Sequence, residues 1–231
     1  MMRQQQIADN LERVRESITA AAERSGRDPA SITLVAVSKL KPAADIAAAL
    51  AAGQVQFGEN YAQEMKLKSE ELGDGPRFHM IGHLQRNKVK LVVGRVALIE
   101  TVDSLRLAEA IEKRAAAENL TVPVLLEVNV GGELSKSGLQ AEGAGELLEQ
   151  VRALPHITPR GLMCIPPFAE VEETRPHFVR LRQLGESLAR DSGLGEEFGE
   201  LSMGMSHDFE AAIEEGATIV RVGTAIFGER K

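Results

Sequence analysis

Lys39 is the side chain in this sequence best suited to covalent chemistry. It lies in TLVAVSKLKP (33–42), where an apolar run gives way to Ser38 and Lys39, and then Lys41 and Pro42 lead into a helix. A lysine forms Schiff bases with carbonyl compounds once burial or a nearby cation lowers its pKa. Taken alone the residue is weak evidence, because a lysine at a strand rim is ordinarily a snorkelling surface charge. Its company changes the reading. Asn60, Gly82, Asn129, Met163, Ser206, Gly223 and Thr224 also fall at strand ends.

Two late stretches add a second chemistry. SMGMSHD (202–208) and RVGTAIFG (221–228) put Gly204, Ser206, Gly223 and Thr224 into two adjacent loops, one of them opening a helix with Asp208 in its first turn. Backbone N–H groups of such loops bind phosphate. The plain alternative makes Ser206 an N-cap and the glycines turn residues. In the last strand Ile219, Arg221 and Gly223 share one face, and in VPVLLEVNV (122–130) Leu125, Glu127 and Asn129 do the same. If these faces point into a closed barrel, Arg221 is costly unless it meets an acceptor. A strand-end lysine, two phosphate loops and an inward arginine together suit an aldehyde that carries a phosphate.

These residues need a scaffold that brings strand ends together. Near-continuous apolar runs such as 33–37 read as parallel strands covered on both faces. Strands are predicted at 33–37, VQFGEN (55–60), 77–82, 97–102, 122–130, 159–165, 200–205 and 218–222. Helices alternate with them, including 61–72, 85–93, one from Ser104 as N-cap to Asn119, 172–191 and 208–215. Pro42 suits the first position of the second helix. Eight strands in strict alternation with helices favour a closed (β/α)8 barrel over an open doubly wound sheet. The absence of Gly-x-Gly-x-x-Gly after the first strand weakens the dinucleotide-binding alternative. An amphipathic helix over 4–25, with Ile7, Leu11, Val14 and Ile18 at helical spacing, is expected to fill the place of a missing final helix.

Length and composition agree with one domain over 1–231. The chain is 43% hydrophobic with no Gly/Pro/Ser-rich linker. Its net charge of −7 argues against a nucleic-acid partner, and Arg86, Lys88 and Lys90 read as a solvated helix face. Cys164 is the one cysteine, which excludes disulfide scaffolds and Cys-based zinc sites and reads as a buried thiol. The polar start MMRQQQIADN lacks the apolar core of a signal peptide, and no membrane span is expected. A cytoplasmic protein is the expectation.

VSKLKP, FGENYAQE, HMIGHLQRNK, EVNVGGELSKSG, RGLMCIPP, LSMGMSHDFEAAIEEGAT and VRVGTAIFG resemble, in order, the motifs of the pyridoxal phosphate homeostasis proteins. Those are relatives of the alanine racemase N-terminal barrel, and the resemblance runs from about Ile7 to Gly228. It implies pyridoxal 5′-phosphate (PLP) covalently bound to Lys39, with Arg221 facing the pyridine nitrogen. It further implies Ser206, Gly223 and Thr224 at the phosphate and Asn60 and Asn129 along the ring. His83 and His207 receive no role. The implied function is to buffer or deliver PLP, with apo PLP-dependent enzymes as recipients and a monomer expected. The alternative is a racemase-like PLP enzyme of weak or unknown activity. Against it stand an arginine that keeps the ring nitrogen unprotonated and a chain that stops at Lys231, before the β-domain that supplies the racemases' tyrosine base. A cofactor-free Schiff-base aldolase is a third class, disfavoured by the phosphate loops and Arg221.

Overall fold

The computed structural model describes residues 2–132 and 137–229. Eight parallel strands close into a barrel in sequence order. They are β1 (Thr33–Val37), β2 (Gln56–Glu59), β3 (Arg77–Met80), β4 (Val96–Val102), β5 (Val122–Glu127), β6 (Ile157–Met163), β7 (Glu200–Met205) and β8 (Ile219–Val222). Closure is made by β1 on β8, in the register Val35 with Arg221 and Ala36 with Val222. The outer ring holds α1 (Met2–Arg24), α2 (Ala43–Ala51), α3 (Ala62–Leu72), α4 (Val89–Val92), α5 (Leu105–Glu118), α6 (Ala144–Arg152), α7 (Val171–Asp191), α8 (Phe209–Glu214) and α9 (Thr224–Phe227).

Strand alternation divides the apolar residues into two layers. Ala36, Ile99, Val124, Leu126, Leu162, Val220 and Val222 pack outward into the large core beneath the helices. Val35, Leu98, Leu125, Met163 and Ile219, one each from five strands, form a separate small cluster that fills the barrel interior. Leu125 and Ile219 therefore set the inward phase of β5 and β8, and Glu127 and Arg221 follow it two residues on. Both are buried.

α1 sits between α2 and α8, as expected for a helix filling the ring. Arg3 pairs with Asp45 of α2 at 2.6 Å, and Arg24 pairs with Glu210 and Glu214 of α8 at 2.9 and 3.0 Å. Ile7, Leu11, Val14 and Ile18 supply its buried stripe.

Several local expectations are corrected. Pro42 is the N-cap of α2, at φ −65° and ψ 155°, and the helix starts at Ala43. Ser104 is the N-cap of α5, but its hydroxyl donates to Asp103 rather than capping the helix. β3 stops at Met80, so Gly82 lies beyond it. β5 stops at Glu127; the Val128 N–H still donates to the Met163 carbonyl of β6 at 2.8 Å, but Val128 also bridges Leu139, and Asn129 lies beyond the strand. β6 runs two residues earlier than predicted, and the predicted 85–93 helix is a 3-10 turn over Arg86–Lys88 followed by the short α4. Among the described residues no helix is long and apolar enough to cross a membrane.

Candidate functional site

The inward phase of β1 carries Val35, Val37 and then Lys39 to one side. A cavity of about 320 Å³ opens there, at the carboxyl ends of the strands. Lys39, Asn60, Ser206, Arg221, Gly223 and Thr224 all line it, so six of the seven residues that the resemblance implies as cofactor contacts meet at one place, while Gly82 and Met163 do not line it. Asn129 is buried past the end of β5 and is not among the lining residues. An apolar wall comes from the loop after β6. There Phe168 is 87% exposed, and its ring centroid lies 5.4 Å from that of His207, which also lines the cavity.

The neighbouring lysines are committed elsewhere. Lys41 Nζ donates to the carbonyls of Phe227, Gly228 and Glu229 at 3.0–3.3 Å, clamping the end of α9. Lys68 is buried in an ion pair with Glu59 at 2.6 Å. Lys136 lies outside the described residues.

The two late loops face each other through Ser206. Its Oγ accepts the N–H of Gly223 at 3.1 Å and that of Ala225 at 3.5 Å, so it ties the loop after β7 to the loop after β8. It does not cap α8; Asp208 takes that position and its Oδ1 accepts the Met205 N–H at 2.6 Å. A Cβ at Gly223 would lie 3.3 Å from Val37 Cβ, tighter than ordinary packing, so the loop approaches β1 closely.

Arg221 finds its acceptors inside the barrel. One nitrogen donates to the Cys164 carbonyl at 2.7 Å and another to Ser202 Oγ at 2.5 Å. Ser202 in turn donates to Glu100 Oε2 at 2.6 Å, and His79 Nδ1 lies 2.6 Å from Glu100 Oε1. Burial pushes the Glu100 carboxyl up, but the His79 hydrogen bond and the charges of His79 and Arg221 outweigh it and hold Glu100 below its ordinary value. Glu127 has no such partner set. Its Oε2 is buried without a hydrogen bond, and burial, reinforced by Asp103 and opposed by Arg221, pushes its carboxyl up to about 7. Burial also lifts the Cys164 thiol to about 12, which makes it inert, as its apolar setting suggested.

Sequence reasoning missed His79, Glu100 and Ser202. The signal was present: each lies between larger apolar or outward residues in a strand, and the alternation test applied to β5 and β8 would have turned them inward. It also missed Lys68, because KLKSEE reads as an ordinary solvated helix face.

The alanine racemase N-terminal domain model matches residues 4–231. A pyridoxal phosphate homeostasis protein of Aquifex aeolicus is 47% identical over 225 residues, covering 96% of this chain and 98% of that one. The chain belongs to the pyridoxal phosphate homeostasis protein family. Solved structures of similar length agree with this family assignment in fold. A protein of unknown function from Bifidobacterium adolescentis superposes with a TM-score of 0.91 at 40% identity, covering 98% of this chain and 96% of that one. PipY of Synechococcus elongatus, solved with PLP bound, gives 0.84 at 36% identity, covering 96% of this chain and all of that one. Within the pyridoxal phosphate homeostasis family frame, the lysine, the bridged loops and the inward arginine of this chain converge on one cavity.

Proposed function

We propose that this chain binds PLP as a Schiff base on Lys39 and buffers or delivers it, without efficient catalysis. The observation that carries the reading is the convergence of Lys39, the Ser206–Gly223–Thr224 loops and Arg221 on one cavity at the strand ends. The residues fit the three functional parts of the cofactor. Lys39 supplies an amine for the aldehyde, the bridged loops supply hydroxyl and N–H donors for the phosphate, and Arg221 supplies a donor for the ring nitrogen. Asn60 Oδ1, buried in the cavity wall without a hydrogen bond, is an acceptor for a ring substituent. Asn129 is retained only as an indirect ring-pocket residue.

When bound, PLP supplies an aldehyde that condenses with amines and a ring that withdraws electrons. The chain's own residues weaken the second property. Arg221 does not give up its proton, so it donates a hydrogen bond to the ring nitrogen and leaves it unprotonated, which makes a poor electron sink. Tyr61, the one tyrosine of the sequence, is 53% exposed at the start of α3 and does not line the cavity. Both points favour a carrier over a catalyst; action in the cytoplasm, with apo PLP-dependent enzymes as recipients, is part of the same proposal. A weakly active enzyme is the second reading; Glu127, whose carboxyl is pushed up to about 7, does not line the cavity and so is not its base. α-Proton exchange with amino acids in deuterated water separates the two.

The direct test is the absorption spectrum of the protein loaded with PLP, then borohydride reduction and peptide mass spectrometry. Label on Lys39, and loss of the visible band in Lys39→Ala, are expected. Label confined to Lys41 or Lys136 overturns the assignment.

A further inference from the structure

Lys68, Glu59 and Glu64 form a buried charge cluster on the outer side of the strand that delivers Lys39. Lys68, 6% exposed, reaches Glu59 Oε1 at 2.6 Å, Glu64 Oε1 at 2.7 Å and the Ser38 carbonyl at 2.7 Å. Ser38 Oγ donates to the same Glu59 oxygen at 2.7 Å, and Glu64 Oε1 accepts the Leu40 N–H at 2.7 Å. The cluster therefore grips the backbone on both sides of Lys39, at Ser38 O and Leu40 N, and the Ser38 side chain through its Oγ.

What it grips is strained. Leu40 has φ +60°, one of two non-glycine residues at positive φ among those described, and its side chain is 61% exposed. A leucine in the left-handed region is held there by its surroundings, since its own sterics disfavour it. Packing does not hold it, because the side chain faces solvent. The Glu64 hydrogen bond reaches its own N–H, and the Lys41 N–H donates to the Ser38 carbonyl at 3.0 Å, so the turn around Leu40 is closed by its own backbone and pinned from outside by Glu64. Stability alone is a poor reason for the cluster, since apolar residues of similar volume often replace a buried ion pair at no loss. Glu59 Oε2 is even left buried without a hydrogen bond.

We propose that Glu64, Lys68 and Glu59 are positioning residues that fix the strained Ser38–Leu40 turn, so that the Lys39 amine is presented to the cavity ready to attack an aldehyde. This rests on the proposed role of Lys39. In that reaction the amine nitrogen bonds to the carbonyl carbon, and the carbonyl oxygen leaves as water with both amine hydrogens; nothing is oxidised or reduced. Presentation lowers the barrier to attack and leaves binding of the phosphate and ring alone.

The test separates those two quantities. The rate of covalent bond formation with PLP is followed at the visible band. Affinity for pyridoxine 5′-phosphate, which has the phosphate and ring but no aldehyde, reports the cavity alone. Glu64→Gln is expected to slow bond formation about tenfold or more while pyridoxine 5′-phosphate affinity stays within about twofold. Adding Leu40→Gly, which takes φ +60° without penalty, should recover most of the lost rate. Glu59→Leu with Lys68→Met removes the buried pair that holds Ser38, while Glu64, its side chain 22% exposed, keeps the Leu40 N–H, and it should show the same split. Unchanged rates, parallel loss of analogue affinity, or no recovery by Leu40→Gly overturns the proposal. A parent protein unlabelled at Lys39 would instead sink the proposed function, so the two failures are distinct.

Discussion

Glu100 and Arg221, on β4 and β8, are 3.9 Å apart and share one hydroxyl: Arg221 donates to Ser202 Oγ, which donates to Glu100. The arginine beneath the candidate cavity is thus half of a fully buried charge arrangement. Removing one partner of such a pair leaves the other unpaired, at about 3–5 kcal/mol.

Arg221→Glu is accordingly expected to fail alone, since it sets two carboxylates side by side in the barrel. Paired with Glu100→Gln it should fold, as a urea midpoint would show. A glutamate at 221 shares a proton with a ring nitrogen where arginine does not, so the PLP-loaded double variant should exchange amino-acid α-protons faster than the parent. Equal exchange in a folded, loaded variant would mean that ring protonation is not what limits chemistry here.

Glu127 predicts a pH dependence of stability. Its folded pKa, about 7, lies above its ordinary value of 4.5. The folded state therefore holds the proton more tightly, and the stability it gives is fully present below about pH 4.5 and lost as pH rises through 7. The loss is on the order of 3 kcal/mol for this group. Glu127→Gln removes it, so denaturation midpoints should show the variant gaining on the parent between pH 5 and pH 8. A constant difference across that range would show that Glu127 titrates normally.

The phosphate loops predict a graded loss. A hydrogen bond to a charged group contributes roughly 1.5–3 kcal/mol, so Thr224→Ala should weaken PLP binding about tenfold or more. Ser206→Ala also unties the Gly223 N–H, and its effect should be at least as large. The covalent bond to Lys39 should still form in both. Unchanged affinity in PLP titrations of both variants would place the phosphate elsewhere.

The barrel and most of the lining of the candidate cavity could be read from the sequence because period-2 alternation and strand-end residues are local signals. Lys39, Ser206 and Gly223 sit just past strand ends, Thr224 opens α9, and Arg221 interrupts an apolar strand. The Glu59–Glu64–Lys68 cluster could not be read this way. Glu64 and Lys68 look like any i,i+4 pair on a wet helix face, and only the packing of α3 over Ser38 buries Lys68 and half-buries Glu64. The strain at Leu40 was equally hidden, since a leucine gives no cue for positive φ.

The place of α1 in the ring also sets an order of events during synthesis. Its contacts with α8 and α9 join residues far apart in the chain: Arg24 to Glu214 across 190 positions, and Asn10 to the Ile226 carbonyl across 216. A ribosome adding about 5–20 residues per second completes those partners roughly 10–40 s after α1 emerges. Throughout that interval α1 lacks the cover of α8 and α9. Closure of the ring by α1 therefore comes late in synthesis, after α8 and α9 have been made.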